Sequence, residues 1–266
     1  MPFTPSHAVV AIPFARTRMV PAAVAVGAMT PDLPIFVPGM IPGYGATHDL
    51  AWVPVTTVLA FVLLLVWRSA LRPAVRELAP RAIAARLPSD WDVAAVDAAR
   101  RTVAGGLGAV GGLALSLALG VVSHIAWDLF THEGRTGTRL FPLLDAQWGP
   151  FTGVKWLQHG SSLFGLVVLA VWGVLWLSRR TSVPVVRLWP GAVRVVWWVS
   201  LPAALVLSAM IAAVVAGGFG PEFTVTHLVY GVLTRVAAAW AVATMVLAVS
   251  VQIARRRRTA GAPSLG

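Results

Sequence analysis

Apolar residues run through this chain in stretches too long for the core of a soluble domain. Five of them, at roughly 50–67, 103–128, 161–177, 195–216 and 228–251, are long enough to cross a hydrocarbon layer about 30 Å thick as helices. The first and third lie near the lower length limit. The segment 5–29 is apolar as well, but Pro13, Arg16, Arg18 and Pro21 interrupt it. It predicts two short helices flanking the Pro13–Pro21 stretch, lying in the interface or re-entering among the spans, and not a sixth crossing. No basic region precedes it, so it reads as mature protein and not as a secretory signal. The expected fold is all-α, a polytopic membrane helix bundle of about five transmembrane helices with short N-terminal interfacial or re-entrant helices. One integral membrane domain covers 1–266, comprising an N-terminal segment with motif loops (1–49), an Arg-rich connection (68–102), a basic tail (252–266) and the spans.

Composition agrees with this pattern. Of 266 residues, 58% are hydrophobic and 12% charged, where soluble domains carry about a quarter charged; mean hydropathy is +0.78. The formal net charge of +11 would suit a nucleic-acid partner, but the basic residues sit beside apolar spans and not in one patch. No nucleic acid is expected; the partner is the lipid bilayer. The chain has no cysteine, which excludes disulfides, thiol catalysis and thiolate metal sites. Any metal must be held by His, Asp, Glu or backbone oxygen.

The arginines predict an orientation. The 68–102 and 178–194 connections and the Arg255–Arg258 run hold fifteen basic residues on one side, against Arg16, Arg18, Arg135, Arg139 and Lys155 on the other. The richer side faces the cytoplasm, putting the N-terminus outside and the C-terminus inside a bacterial plasma membrane. Trp52, Trp127 and Trp156 then fall near the outer interface, and Trp67, Trp176 and Trp197 near the inner one. The 73–102 stretch reads as one or two amphipathic helices whose arginines suit anionic headgroups.

All six histidines map to the predicted outer ends of the spans: His7, His48, His124, His132, His159 and His227. Asp32, Asp49, Asp128, Glu133, Asp145 and Glu222 lie on the same side. His124, Asp128 and His132 are spaced i, i+4, i+8, so a continuing helix places them on one face. Two imidazoles and a carboxylate there suit Zn²⁺ or another divalent ion; a hydrogen-bonded polar cap at the end of a span is the alternative. Thr4-Pro5-Ser6-His7 reads as an N-cap with Pro at the first helical position. Pro31 and Pro34 fix the direction of Asp32 between them. Gly108 and Gly112 form a GxxxG pair that suits close helix packing. Arg235 is a basic residue inside a span, about 12 Å deeper than His227 at helical rise. It either serves Asp128 or an incoming phosphate, or reaches back to the interface.

Thr-Pro-Ser-His at 4–7, Gly-Ala-Met-Thr-Pro-Asp-Leu-Pro at 27–34, Thr-His at 47–48 and Ser-His-x-x-Trp-Asp-x-Phe-Thr-His at 123–132 together resemble a bacterial family of multi-pass membrane proteins. It is catalogued as domain-of-unknown-function family 4184. More distantly, the order His, Pro-Asp, His, His-x-x-x-Asp is similar to inner-membrane metal-dependent hydrolases that resemble zinc-dependent phospholipases. That likeness implies His7, Asp32, His48, His124 and Asp128 as metal ligands, with His132 and His159 next. The chain departs from it in having one acid after Pro31 in place of two, which favours a single metal.

The function expected is a divalent-metal hydrolase, zinc being the natural metal, acting on a lipid or phosphoester near the outer leaflet. Asp128, Glu133 and Arg235 are the candidate catalytic groups. The alternative is a non-enzymatic membrane protein that binds metal or haem, transports, or acts as a scaffold with a structural His/Asp cap. Transport is disfavoured because the third and fourth spans carry no ionisable residue at depth.

Overall fold

The structure, a computed structural model, describes residues 3–221 and 223–260, with side chains to residue 257. Glu222, the Arg258 side chain and the end of the basic tail lie outside the described residues. The fold is all-α, with a single two-stranded hairpin among the described residues. Among the described residues, five helices are long and apolar enough to cross a membrane: Leu50–Leu78, Gly106–Thr131, Gly153–Ser178, Gly191–Val215 and His227–Arg257.

The chain opens with a 3-10 stretch, Thr4–Arg16, followed by helix α1 (Pro21–Met29), as the prolines of 5–29 predict. Phe3, not Thr4, precedes the first turn, and no side chain caps it. Pro31 and Pro34 then hold a 3-10 turn, Thr30–Ile35, before the short α2 (Tyr44–Thr47). Asp49 accepts from the Ala51 N–H at 2.9 Å and starts the first long helix. That helix runs as α3 (Val53–Val66), a π-helical stretch (Trp67–Leu71) and α4 (Arg72–Leu78). It is longer than the 50–67 expected, because three arginines at four-residue spacing continue the helix beyond its apolar part. Short α5 (Arg81–Ala84) and α6 (Ala95–Val103) complete the Arg-rich connection. The second long helix is α7 (Gly106–Thr131), then short α8 (Thr136–Leu140) and the hairpin of β1 (Gln147–Trp148) and β2 (Phe151–Thr152). The third, α9 (Gly153–Ser178), starts well before residue 161 because Thr152 caps it, accepting from the Lys155 N–H. The last two are α10 (Gly191–Val215) and α11 (Thr234–Ala260), the latter preceded by a π-helical stretch His227–Leu233.

Two compact units emerge. The first comprises Met1–Pro34, Pro38–Leu65 and Val103–Arg179, the second Ile35–Val37, Val66–Thr102 and Arg180–Gly266. In the first, α1 lies directly on α7. A Cβ on Gly27 would strike the Leu117 carbonyl, and one on Gly120 the Val24 carbonyl, so only glycine at both permits this approach. Gly165 similarly admits the Ser6 backbone against α9. Gly108 and Gly112 meet nothing within 4 Å, so the close contact expected of that pair forms about two turns further along, at Gly120.

In the second unit Glu77 is wholly buried. It accepts from the backbone N–H groups of Leu188 and Trp189 at 3.0–3.2 Å and from Arg194 at 3.4 Å. Arg187 donates to the carbonyls of Glu77 and Ala79. Arg76 and Arg255 pair with Asp92, and Arg72 with Asp90. Several arginines of the 68–102 connection therefore face acids of the same unit. Helix α10 is apolar yet has no fully buried residue, as lipid contact requires.

Candidate metal centre

The Gly27–Gly120 contact fixes the site. It sets the end of α1 one turn from His124, so the turn that follows delivers Asp32 to the same place. Helix α2 brings His48, and α7 contributes both His124 and Asp128 from adjacent turns. One ligand atom from each of these four lies within 4.8 Å of all the others, and all four residues are buried.

The hydrogen bonds define which atoms face inward. His48 Nδ1 is 2.9 Å from the Tyr44 carbonyl, and His124 Nδ1 is 2.7 Å from the Ala28 carbonyl. A carbonyl only accepts, so each Nδ1 carries the hydrogen and each Nε2 presents a lone pair. Those two Nε2 atoms are 3.1 Å apart. Asp32 Oδ1 is 3.7 Å from both, and Asp128 Oδ2 is 3.4 Å from His48 and 3.5 Å from His124. Four acceptor atoms thus converge, and Tyr44 donates to one of them, Asp128 Oδ2, at 3.5 Å. Asp32 Oδ1 is buried without any hydrogen-bond partner, a costly state for a carboxylate. The four could hold a cation, and the spacing is close to what one needs: nitrogen and oxygen ligands at about 2.0–2.2 Å around a tetrahedral ion stand about 3.3–3.6 Å apart. The carbonyls behind the two imidazoles are the outer partners that orient metal-binding histidines.

A second layer braces the acids. Thr4 Oγ1 donates to Asp32 Oδ2 at 2.6 Å, Thr131 to Asp128 Oδ1 at 3.4 Å and Tyr44 to Asp128 Oδ2 at 3.5 Å. Burial, ahead of the Asp128 charge, holds the Tyr44 phenol well above its ordinary value, so it remains a donor. Thr47 donates to the Pro31 carbonyl at 2.7 Å, tying α2 to the Asp32 turn. Burial likewise pushes the Asp32 carboxyl up from the usual carboxylate range.

His7 and His132 flank the four and stay outside the convergent set. His7 stacks on His124 with ring centroids 4.0 Å apart, and its Nε2 is 3.9 Å from Asp128 Oδ1. Helix α7 ends at Thr131 and His132 is extended, so it leaves the helical face expected of it. Its Nδ1 nevertheless turns back to within 3.5 Å of Asp128 Oδ2. Burial lowers the pKa of both imidazoles, and both Nε2 atoms are buried without a partner. His159 is exposed and lies against Phe151. Glu133 is exposed just beyond α7. Arg235 and His227 are exposed in the second unit. Sequence reasoning missed Tyr44, Thr4, Thr47 and Thr131. Tyr44 stands four residues before His48, a helical spacing that could have revealed it.

The family described as "Domain of unknown function (DUF4184)" matches residues 1–251. The chain belongs to the DUF4184 family. Every residue of the centre lies within the matched span. The chain matches no curated protein and no solved structure.

Proposed function

We propose that this DUF4184 member is a membrane-embedded metalloprotein that hydrolyses a lipid or phosphoester at headgroup depth. The observation that carries the metal is the convergence of four lone-pair donors, with Asp32 Oδ1 left unpartnered in the apolar interior. Asp32, His48, His124 and Asp128 hold the ion, and two imidazoles with two carboxylates suit Zn²⁺. When bound, the ion supplies Lewis-acid polarisation of an ester or phosphoryl oxygen and makes water a nucleophile near neutral pH.

The remaining residues act around that ion. Tyr44, Thr4 and Thr131 hold the carboxylates in place. His7 and His132 present unpartnered Nε2 atoms beside Asp128 for proton transfer. With Asp128 taken as a ligand, Glu133 is the nearby carboxylate in sequence for the general-base role. The order of His, Pro-Asp, His and His-x-x-x-Asp, which is similar to that of inner-membrane metal-dependent hydrolases, supports the choice of hydrolysis.

Metal content of the detergent-purified protein, measured by mass spectrometry, tests the reading. Wild type should carry near-stoichiometric metal, and Asp32→Asn, His124→Ala and Asp128→Ala should each lose it. Metal-free wild type, even after incubation with excess Zn²⁺, Mn²⁺ and Fe²⁺, would sink the proposal.

A further inference from the structure

The two turns of α7 that carry His124 and Asp128 on one face carry Ser123 and Trp127 on the next, each one position before a ligand. Ser123 and Trp127 line a cavity of about 320 Å³ together with Val9 and Val10 of the opening 3-10 stretch and Phe164 of α9. All of these residues belong to the first compact unit. His7 joins cavity to centre, because it lines the cavity while its ring stacks on His124 with centroids 4.0 Å apart.

The polar groups of the wall are spent on the chain itself. Ser6 donates to the Phe3 carbonyl and Ser123 to the Gly120 carbonyl, both at 2.7 Å, and Ser161 donates to the Gln158 carbonyl at 3.3 Å. The Trp127 indole N–H donates to Ser161 at 3.3 Å. His7 keeps a buried, unpartnered Nε2, but this atom lies 3.9 Å from Asp128 Oδ1 and belongs to the centre. No Asp, Glu, Lys or Arg is among the described residues that line the cavity. Two valines, an indole and a phenyl ring remain, so the cavity offers hydrocarbon contact and no free hydroxyl or indole donor.

Its surroundings supply the occupant. Phe164 is 68% exposed and Trp127 40%, and both stand on helices long and apolar enough to cross a membrane. The rim of the cavity therefore meets lipid. Water entering would lack the two to four polar partners it needs, whereas a hydrocarbon chain restores the dispersion contacts that an empty cavity forgoes. The volume falls within the range of ordinary ligand sites.

We infer that this cavity seats one acyl chain of a membrane phospholipid, with the ester and phosphate end of that lipid at His7 beside the centre. That the lipid is a substrate rests on the hydrolase reading; that its chain is bound does not. The inference narrows the substrate class to a lipid in place of a soluble phosphoester, and gives Val9, Val10, Trp127 and Phe164 the task of holding its chain.

The test places full-length protein in phosphatidylethanolamine vesicles containing phosphatidylglycerol with a diazirine within one acyl chain. After irradiation, labelled residues are mapped by mass spectrometry. Labelling should concentrate on the half-buried Val9 and Val10 over Leu163 and Val167, which lie on α9 outside the cavity and are 67% and 51% exposed. Val10→Trp fills the cavity and should abolish the excess at Val9, whereas Val167→Trp should preserve it. If Val10→Trp does not fold, the smaller enlargement Val9→Phe decides by loss of the excess at Val10. Labelling of Val9 and Val10 no stronger than that of Leu163 and Val167, or an excess that survives the filling variant, overturns the inference. Labelling needs neither metal nor turnover, so metal-free wild type would count against the hydrolase reading alone, and the map would still decide whether a chain is seated.

Discussion

Burial and charge pull His7 in opposite directions, and burial wins. Its imidazole is pushed down to about 3 from the usual value near 6.5, with the neighbouring His124 adding to the effect and Asp128 opposing it. The folded protein therefore keeps His7 neutral while the unfolded chain takes up a proton below about pH 6.5. Between those two values the unfolded state holds more protons, so stability rises with pH and is lost on acidification, by at most about 1.4 kcal/mol per pH unit for one group. Metal-stripped wild type should accordingly show a falling thermal midpoint from pH 6.5 towards pH 4, and His7→Gln a shallower fall. An identical slope in the two proteins would mean that His7 is not held neutral by the fold. Neutral His7 also matters to the centre, because a protonated imidazole stacked on His124 would oppose a cation bound beside it.

The decisive event between elements is the crossing of α1 over α7 at Gly27 and Gly120, where each residue faces the other helix's backbone. Gly120→Ala should push the helices apart, carry Asp32 away from His124 and cost roughly 1–3 kcal/mol as an overpacked contact does. The readouts are a lower thermal midpoint and lost metal. Gly108→Ala, which meets open space, should leave both unchanged; if the two variants behave alike, the crossing does not build the site. Local chemistry made much of this legible in the sequence. The His124–Asp128 pair follows from helical spacing, and Pro31 and Pro34 mark the Asp32 turn. Long apolar runs reveal the five helices, although their ends shift wherever polar residues continue a helix, as at Arg72 and Gly153. Which glycine is used could not be read, because a small-residue stripe says that helices can approach but not where. Likewise Thr4 looked like a cap, yet its hydroxyl goes to Asp32, a partner 28 residues away that only the folded chain brings near.

For the whole molecule, the side on which the centre lies determines what it can act on. The charge-bias rule counts Lys and Arg near the ends of spans and gives acids little weight. The pairing of Arg72, Arg76 and Arg255 with Asp90 and Asp92 therefore leaves the expected orientation intact, with the β1–β2 hairpin outside and the 180–190 connection inside. The chain's lack of cysteine makes this directly measurable. Gln147→Cys and Ser182→Cys place single thiols at exposed positions on either side of α9. In intact cells a membrane-impermeant maleimide should label Gln147→Cys, and Ser182→Cys only after permeabilisation. The reverse pattern would leave the four-residue centre untouched but put its substrates in the cytoplasm, removing the outer-leaflet lipid from the proposed function while keeping the chemistry. Orientation and metal content are thus independent measurements, and together they separate what the site can do from what it can reach.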